Sequence, residues 1–448
     1  MIIKIYEKIL LIAVAVFSVV MSYFSIIRYD RLGSYFQYYD LAIFEQSYWT
    51  TVHNGTLLYN SVMGISHFGA HNSPMLFTVL PFYYLFQTPE TLLVFQAVIL
   101  ALAAIPLFYL AKEILDEKYA IVIVLMYMLF PQLHGAILFE FHEACFIPVF
   151  IFTALYFLYR KNIPVFVLLM SLSLLIKEDM PVLVIPIFIY ALYKQMYSTK
   201  FEKWLIGVGI VLASIWLLVS ILVIIPSFSL GGTYIHETRF DTGDIPTMVL
   251  QYPVSKATYL LSVFTPLLFL PLLSPGTMLT MLPALLEIML QNDEFRFTTS
   301  LHYVIQLIPL LFLSVILGFK RVQTHIHPKN TGFLIVLLLM VAGVCLVSSE
   351  VSPLSNRYYF NTPNDHIGVV YEGMSMIPDG ASLYLGSSYI KDSTHRMELN
   401  VVYTPGMEYL LVDNKSFKFN KTDFSRYDLL QYTEIFNKEG VQVYRKSD

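Results

Sequence analysis

Long apolar runs separated by short polar stretches occupy residues 1–350. A transmembrane helix needs about 20 mostly apolar residues, so several of the runs are short for a straight crossing. The pattern predicts an α-helical polytopic membrane protein with about eleven spans. These lie at roughly 9–27, 91–111, 119–134, 144–159, 163–177, 179–193, 204–226, 257–273, 277–291, 300–318 and 332–349. The shorter run 74–86 is interpreted as a re-entrant or half-crossing segment.

The tail from 351 to 448 has a different pattern. Short alternating stretches such as Ser382-Leu383-Tyr384-Leu385 are separated by turn formers such as Pro378-Asp379-Gly380. Alternation of this kind is typical of half-buried strands. We therefore expect a membrane domain over 1–350, with a first outer loop at 28–73, and a small soluble α/β domain over 351–448.

The first outer loop contains a stretch with helical periodicity. Asp40 stands at an N-cap position, and the apolar residues Leu41, Phe44 and Tyr48 then recur at helical spacing. Polar residues between 45 and 53 fall on the other face. Two interpretations remain open: an amphipathic helix lying in the membrane interface with an acid at its start, or a helix that only seats the loop.

Composition and charge support the membrane class and set an orientation. The chain has 448 residues, of which 56% are hydrophobic and only 13% are charged, and its net charge is −4. Soluble chains carry about 25% charged residues. Basic clusters at 4–8, 160–161, 194–203 and 320–329 belong on the cytoplasmic side, which places the N-terminus inside and residues 351–448 outside.

Other function classes lack the residues they need. No basic cluster favours nucleic acid as a partner. The two cysteines, Cys145 and Cys345, both lie in apolar runs, so neither a disulfide framework nor a zinc site is indicated. The chain also lacks a phosphate-binding glycine loop, a Gly-x-Ser-x-Gly elbow and a His-Glu-x-x-His motif.

Ionisable residues gather on the outer side of this topology. Charged groups at membrane depth are costly, so each one is a functional hypothesis. Loops often carry charged residues that have no function, and we interpret the charged residues at 236–244 in this way. The remaining set predicts an external polar cavity, formed by Asp40, Glu45, His67, His71, His142, Glu143, Lys177, Glu178, Asp179, Glu287, Asp293, Glu294, Arg296, His302 and Tyr303.

The cavity residues suggest three kinds of chemistry. Asp40 has the chemistry of a general base that accepts a hydroxyl proton. His71, His142 and Glu143 offer ligands for a divalent cation, although no tight ligand motif fixes their geometry. Lys177, Arg296 and Arg239 are suited to holding a phosphate.

Several of these motifs carry a resemblance. The motifs are the stretch from Asp40 to Trp49, His71-Asn72-Ser73-Pro74, Phe141-His142-Glu143, Lys177-Glu178-Asp179 and His302-Tyr303. In this order, and with the external tail, they resemble a prokaryotic and archaeal family of predicted multi-pass membrane proteins described as a domain of unknown function. That family is in turn similar to the GT-C glycosyltransferases, which include protein O-mannosyltransferases, lipid A aminoarabinose transferases and the oligosaccharyltransferase catalytic subunit.

The GT-C resemblance implies a reaction. Such enzymes transfer a sugar from a polyprenyl phosphate or diphosphate at the outer membrane face to a protein, lipid or glycan acceptor. Their usual catalytic residue is an acid in the first outer loop, and only Asp40 matches that position. Some use a divalent cation, Mg or Mn, but Asp40 is followed by Leu41 and so lacks the paired acid of many members.

The resemblance leads to a set of site residues and one alternative. We expect Asp40 to be catalytic, and His71, His142 and Glu143 to bind any metal. A non-catalytic transporter or scaffold of similar fold is the alternative, although transporters place their polar residues near the bilayer midplane. The expected substrate-binding residues are Gln46, Trp49, Lys177, Glu178, Asp179, His302 and Tyr303.

Overall fold

A computed structural model describes residues 5–32, 40–230, 232, 245–325, 328–352, 365–387, 393–400, 406–415 and 429–447. Within these ranges the chain is mainly helical. The helices are α1 Ile5–Leu32, α2 Asp40–Asn54, α3 Leu80–Leu85, α4 Pro89–Leu102, α5 Ala104–Ile114, α6 Glu117–Met128, α7 Pro131–Leu138, α8 Phe146–Tyr159, α9 Ile163–Ser173, α10 Pro181–Tyr193, α11 Lys200–Val219, α12 Ile225–Phe228, α13 Ile245–Leu250, α14 Pro253–Phe264, α15 Pro275–Met289, α16 Ile308–Gln323, α17 Pro328–Ser348 and α18 Asp365–Met374.

Four helical stretches among the described residues are long and apolar enough to cross a membrane. They are Ile5–Asp30, Pro89–Ile114, Lys200–Phe228 and Asn330–Ser348. The pair α6 and α7, bent by 49°, would make a fifth span. Several other apolar helices are shorter, and at about 1.5 Å per residue they fall short of a 30 Å core. The fold is thus that of a helical membrane protein, while the count of eleven spans stays a prediction.

Two predicted spans are not single helices. The run 257–273 is helical only to Phe264, and 3₁₀ turns follow at Thr265–Leu267 and Leu270–Leu273. Proline removes a helical hydrogen bond and clashes with the preceding turn, and Pro266 and Pro271 stand at these breaks. The run 300–318 becomes α-helical only at Ile308, because the chain at His302–Gln306 forms a 3₁₀ turn.

The segment 74–86 consists of two short helical pieces, and its re-entrant or half-crossing path stays a prediction. A 3₁₀ helix at Pro74–Thr78 is followed by α3, which has six residues. Before it, the two-residue strands β1 Tyr59–Asn60 and β2 Ile65–Ser66 pair antiparallel. The two strands and α2 lie within 28–73, the predicted first outer loop.

The tail contains the expected sheet. Strands β3 Leu383–Gly386, β4 Leu399–Asn400, β5 Tyr409–Asp413, β6 Tyr432–Lys438 and β7 Val441–Lys446 form one five-stranded sheet in the order β4-β3-β5-β7-β6. β3 is parallel to β4 and β5, and the other pairs are antiparallel. Alternate residues face opposite sides: Leu383, Leu385 and Leu411 join the large apolar core, whereas Leu410 and Val412 belong to a second cluster.

The tail also covers the polar face of α2. Glu45, Gln46 and Thr50, which the periodicity places opposite the apolar residues, are fully buried. The Gln46 amide donates to the Arg396 carbonyl at 2.8 Å, and His395 bonds Glu45 at 2.9 Å. Residues 395–396 therefore cover part of the polar face of α2, while the place of this helix in the membrane interface stays a prediction.

Candidate functional site

The amino end of α2 carries Asp40 and is held by a distant carboxylate. Glu140 accepts a hydrogen bond from the backbone N–H of Leu41 through Oε2, at 2.6 Å. The first N–H groups of a helix have no partner within the helix, and a negative charge there is stabilising. Glu140 is itself 1% exposed. The position of Asp40 therefore depends on Glu140, which lies 99 positions after Leu41 in the chain.

The segment that supplies Glu140 is fastened by two polar side chains. Arg28 on α1 donates to the Phe139 carbonyl at 2.9 Å. Gln96 on α4 donates to the Glu140 carbonyl at 2.8 Å and accepts from the backbone N–H of His142 at 2.9 Å. Because Gln96 is fully buried, its amide fixes the backbone on both sides of residue 141.

Asp40 and His142 form an ion pair. Nε2 of His142 donates to Oδ2 of Asp40 at 3.2 Å, and Nδ1 of the same ring faces the Glu140 carbonyl at 3.1 Å. Both partners are acceptors, which suits a doubly protonated ring. Burial lowers the pKa of His142, but the hydrogen bond and the charge of Asp40 outweigh it and hold the pKa above its ordinary value. The His142 side chain is 9% exposed and that of Asp40 is 27% exposed.

A continuous row of rings runs through the site. His71 lies 5.9 Å from His67, His67 lies 4.9 Å from Phe44, and Phe44 lies 5.8 Å from His142. His142 stacks on His302 at 3.5 Å between ring centroids, and His302 lies 4.3 Å from Tyr303. The row therefore joins the first outer loop to the turn before α16.

Arg296 ends this row of rings. Its guanidinium lies 4.6 Å from the ring centroid of Tyr303, and its Nε lies 3.4 Å from Oδ2 of Asp293. A guanidinium over an aromatic face is a favourable cation–π contact. A cation therefore stands three rings away from the carboxylate of Asp40, with His142, His302 and Tyr303 between them.

A glycine permits the approach of the turn that carries His302. Gly135 on α7 lies so close to residues 299–300 that a Cβ built on it would stand 1.8 Å from the Thr299 carbonyl oxygen. Real Cβ atoms do not approach an oxygen so closely. Only glycine at this position lets the turn pack against α7 and bring His302 onto His142.

A second charged group lies at the other end of the row. His71 donates from Nδ1 to Oε1 of Glu178 at 2.7 Å, and the backbone N–H of Asn72 donates to Oε2 of the same carboxylate at 3.1 Å. Lys177 pairs with Asp179 at 3.1 Å. The Lys177-Glu178-Asp179 turn thus meets the His71-Asn72 stretch, while an external cavity formed by these motifs stays a prediction.

His67 connects the two charged groups. Its ring is 2% exposed, and burial lowers its pKa to about 4. Glu143 opposes that shift, while Lys177 and His142 add to it. His67 is therefore within electrostatic reach of both groups. Glu143, in the 3₁₀ turn Glu143–Cys145, is 3% exposed.

Gln46 and Trp49 lie elsewhere than Asp40. The Gln46 amide bonds Ser61 and the Arg396 carbonyl, and Trp49 stacks on His395 with ring centroids 5.8 Å apart and an interplanar angle of 11°. Both side chains face the tail. Their role in substrate binding stays a prediction, whereas their contacts with the tail are structural.

The three predicted metal ligands do not come together. His71 is paired with Glu178 and His142 with Asp40. Across the described ranges, no group of three or more His, Cys, Asp or Glu side chains could hold a metal ion. Arg239, a predicted phosphate ligand, and the other charged residues at 236–244 lie outside those ranges.

Sequence reasoning missed the supporting residues. Glu140 and Gln96 act through backbone groups far along the chain, and no local spacing signals such a contact. Glu45 and His67 were recognised as ionisable residues of the outer loop but were given no role. Buried polar residues in an otherwise apolar chain were the signal for all four.

A family model describes most of the chain. The model matches residues 31–385 and is described as "Predicted membrane protein (DUF2079)". The chain belongs to the DUF2079 family. No curated protein matches it.

Solved structures show that this DUF2079 chain shares its fold with ArnT. ArnT from Cupriavidus metallidurans superposes with a TM-score of 0.62 in the apo state and 0.61 when bound to undecaprenyl phosphate. Sequence identities are 10% and 11%, and coverage is 96% and 97% of this chain and 97% of ArnT in each case. At such identities the likeness concerns the fold alone.

An archaeal oligosaccharyltransferase resembles the chain less closely. The Archaeoglobus fulgidus enzyme, in complex with Zn and sulfate, has a TM-score of 0.48 and 11% identity. The match covers 96% of this DUF2079 chain and 73% of the oligosaccharyltransferase.

Proposed function

We propose that the protein is a membrane glycosyltransferase of the GT-C type. In this proposal it takes a sugar from a polyprenyl-phosphate lipid at the outer membrane face and passes it to a protein, lipid or glycan acceptor. The fold supports this, because ArnT, which superposes over nearly the whole chain, also occurs in a structure bound to undecaprenyl phosphate. The membrane supplies the lipid donor, and residues 351–448 lie on the same outer side.

The observation that carries the proposal is the Asp40–His142 pair. Asp40 is partly exposed, while the groups that position it are buried: Glu140 caps its helix and His142 donates to its carboxylate. A partly accessible carboxylate held by a buried framework suits a general base. A residue that only capped the helix would not need a charged imidazole beside it.

The reaction places each residue in a role. The acceptor oxygen attacks the anomeric carbon, its proton passes to a carboxylate oxygen of Asp40, and the bond between that carbon and the phosphate oxygen breaks. Polyprenyl phosphate leaves with the electron pair of that bond. His142 acts as a positioning residue, because its N–H holds Oδ2 of Asp40 and leaves Oδ1 for the acceptor proton.

Two cations are available for the phosphate of the donor. Lys177 precedes Glu178, which pairs with His71 at one end of the row of rings, and Arg296 lies over Tyr303 at the other end. Each cation is paired with an aspartate. Developing charge on a leaving phosphate is best stabilised by fixed cations in a site from which water is excluded. Glu178 and Asp179 orient the lysine end of the site, while His302 and Tyr303 form its wall next to His142.

The proposal includes no step through a metal ion. The donors that were expected to bind Mg or Mn, namely His71, His142 and Glu143, do not form a group that could hold an ion, and Mg prefers oxygen ligands in octahedral geometry. Stabilisation of the charge on the leaving phosphate is instead assigned to Lys177 and Arg296.

The experiment is Asp40→Asn in a reconstituted transfer assay. Undecaprenyl phosphate carrying single hexoses serves as the donor panel, and transfer to membrane extract is measured. We expect kcat to fall by about 10²–10⁴-fold, because an amide cannot accept the proton. Asparagine is nearly as good a helix cap as aspartate, so folding and thermal stability should hold.

Asp116→Asn is the matched control. Asp116 caps α6 by accepting from the N–H groups of Lys118 and Tyr119, so the substitution is chemically the same at a helix start outside the site. It should keep wild-type activity. If Asp40→Asn transferred sugar as fast as Asp116→Asn, Asp40 would be only a cap. If cells with and without the wild-type protein had the same lipid-linked sugars and the same cell-surface glycans, the protein would be better described as a non-catalytic relative.

A further inference from the structure

His67 is a buried side chain without a polar partner. Neither Nδ1 nor Nε2 has a hydrogen-bond partner among the described residues, although the residue is only 2% exposed. Its backbone is well held, since its N–H donates to the Leu58 carbonyl at 2.7 Å. The ring packs against Phe44 on one side and lies near His71 on the other. The fold therefore fixes the ring but leaves both of its nitrogens unused.

Glu143 adds a third unused atom in the same region. Its Oε2 is buried and has no hydrogen-bond partner in the described ranges. Phe44 joins the two places: its ring centroid lies 4.9 Å from that of His67 and 5.8 Å from that of His142, the residue before Glu143. Buried polar groups are normally paired, and each orphan reduces the stability of the protein that carries it. Orphans gathered in one site indicate a ligand that completes them.

The chemistry of the three atoms selects the ligand. A neutral imidazole presents one donor and one acceptor, and a carboxylate oxygen is an acceptor. Burial lowers the pKa of His67 to about 4, which keeps the ring neutral at physiological pH. A phosphate would meet the Glu143 carboxylate and no charge on His67. A hydroxyl both donates and accepts, so neighbouring hydroxyls can satisfy all three atoms.

We propose that His67 and Glu143 form a subsite that recognises hydroxyl groups of the transferred sugar. The proposal rests on the glycosyltransferase function and adds to it that these residues recognise the sugar of the donor. The place fits, because His67 lies in the row of rings between His71, which pairs with Glu178 of the Lys177-Glu178-Asp179 turn, and the Asp40–His142 pair. A sugar lying between phosphate and base would pass His67.

The test compares His67→Phe with His134→Phe. Both histidines become phenylalanine, but His134 has a partner, since its Nε2 lies 2.6 Å from the Met128 carbonyl. Thermal unfolding of purified protein is measured without ligand, with undecaprenyl phosphate, and with undecaprenyl phosphate carrying glucose, galactose or mannose. Titrations of each lipid give the affinities.

The expected results differ between the two variants. Without ligand, His134→Phe lowers the unfolding temperature because it breaks a hydrogen bond, whereas His67→Phe leaves it unchanged or raises it. In wild type, the best sugar-bearing lipid stabilises more than the bare lipid. His67→Phe keeps the effect of the bare lipid and loses about 10-fold or more of the affinity gained through the sugar.

Two further variants test the chemistry. His67→Gln, which still presents a donor and an acceptor, should keep part of the sugar-dependent gain. Glu143→Gln keeps the shape but changes one acceptor to a donor, so it should reduce the gain or change which hexose binds best. Glu143→Gln also provides the test if His67→Phe does not fold.

Each contrary result has a separate meaning. If the wild-type protein bound none of the lipids, both the proposed function and this subsite would be wrong. If the wild-type protein bound bare lipid and sugar-bearing lipid equally well, only the subsite would be wrong. The same would follow if His67→Phe kept the full affinity gained through the sugar. A fall in the ligand-free unfolding temperature of His67→Phe equal to that of His134→Phe would mean that the ring nitrogens are already partnered.

Discussion

The Asp40–His142 pair keeps its full strength only while the imidazole carries a proton. Asp40 raises the pKa of His142 above its ordinary value, against the effect of burial. A histidine whose pKa is raised on folding adds stability that is complete below the unfolded pKa, about 6.5. That stability is lost as the pH rises through the folded pKa. The contribution of the imidazolium should therefore be greatest below about pH 6.5.

His142→Gln tests this dependence. We expect the unfolding temperature of wild type to exceed that of the variant most near pH 6, and the difference to shrink as the pH rises toward 9. Thermal unfolding in one detergent across this range measures it. His134→Gln is the control, because a neutral imidazole can donate to the Met128 carbonyl and the difference should stay nearly constant. A difference for His142→Gln that grew with pH would contradict the assignment of an imidazolium.

At the scale of single residues, sequence identified the charged groups but not their partners. Asp40, His142 and Glu178 stood out because ionisable groups are rare in an apolar chain. Which pairs form is decided by the fold: His71 meets Glu178 across 107 positions, and Asp40 meets His142 across 102. A local pattern contains no information about such pairings.

At the scale of elements, the close packing of α7 against the turn at 299–300 decides whether His302 reaches His142. Gly135 makes that packing possible, since a Cβ there would overlap the Thr299 carbonyl. Alanine normally favours a helix interior by about 1 kcal/mol over glycine. In Gly135→Ala the clash with a backbone oxygen should outweigh this gain, so we expect lower stability and reduced transfer.

Gly207→Ala is the control for this prediction. Gly207 lies inside α11, and nothing stands within 4 Å of the position its Cβ would take. This variant should be neutral or slightly more stable, with activity unchanged. Thermal unfolding and the transfer assay distinguish the two glycines. If both substitutions had the same small effect, the turn would be able to move away from α7 without harm to the site.

The elements themselves were partly readable from sequence. Helix α2 begins at Asp40 and ends at Asn54, next to Gly55, as the spacing of Leu41, Phe44 and Tyr48 predicts. The environment of α2 could not be predicted from the sequence, because a polar helix face can contact water or a covering domain equally well. The predicted span 257–273 is not one continuous helix: its apolar composition is clear, but Pro266 and Pro271 divide it into separate turns.

At the scale of the whole molecule, the predicted topology places residues 351–448 outside and residues 320–331 in the cytoplasm. Single cysteines in a background lacking Cys145 and Cys345 test it with a reagent that does not cross membranes. Leu430, which is 96% exposed, is a suitable outer position, and the exposed Thr324 is the inner one. Ser387 would be a poor choice, since it is fully buried.

We expect Leu430→Cys to be labelled in intact cells and Thr324→Cys to be labelled only after the membrane is opened. The opposite pattern would reverse the orientation and place Asp40 on the cytoplasmic face, where the proposed donor would not be met. Labelling of both positions in intact cells would place them on the same side of the membrane. An even number of crossings would then lie between them.

The covering of α2 by the tail has a consequence for synthesis. Glu45 and Gln46 are made early, but the residues that cover them, His395 and Arg396, lie 350 positions later. At about 5–20 residues per second, a ribosome needs roughly 18–70 s to bridge that interval. During this time Glu45 lacks its contact with His395, so α2, which is made early, is among the last elements to gain its full set of contacts.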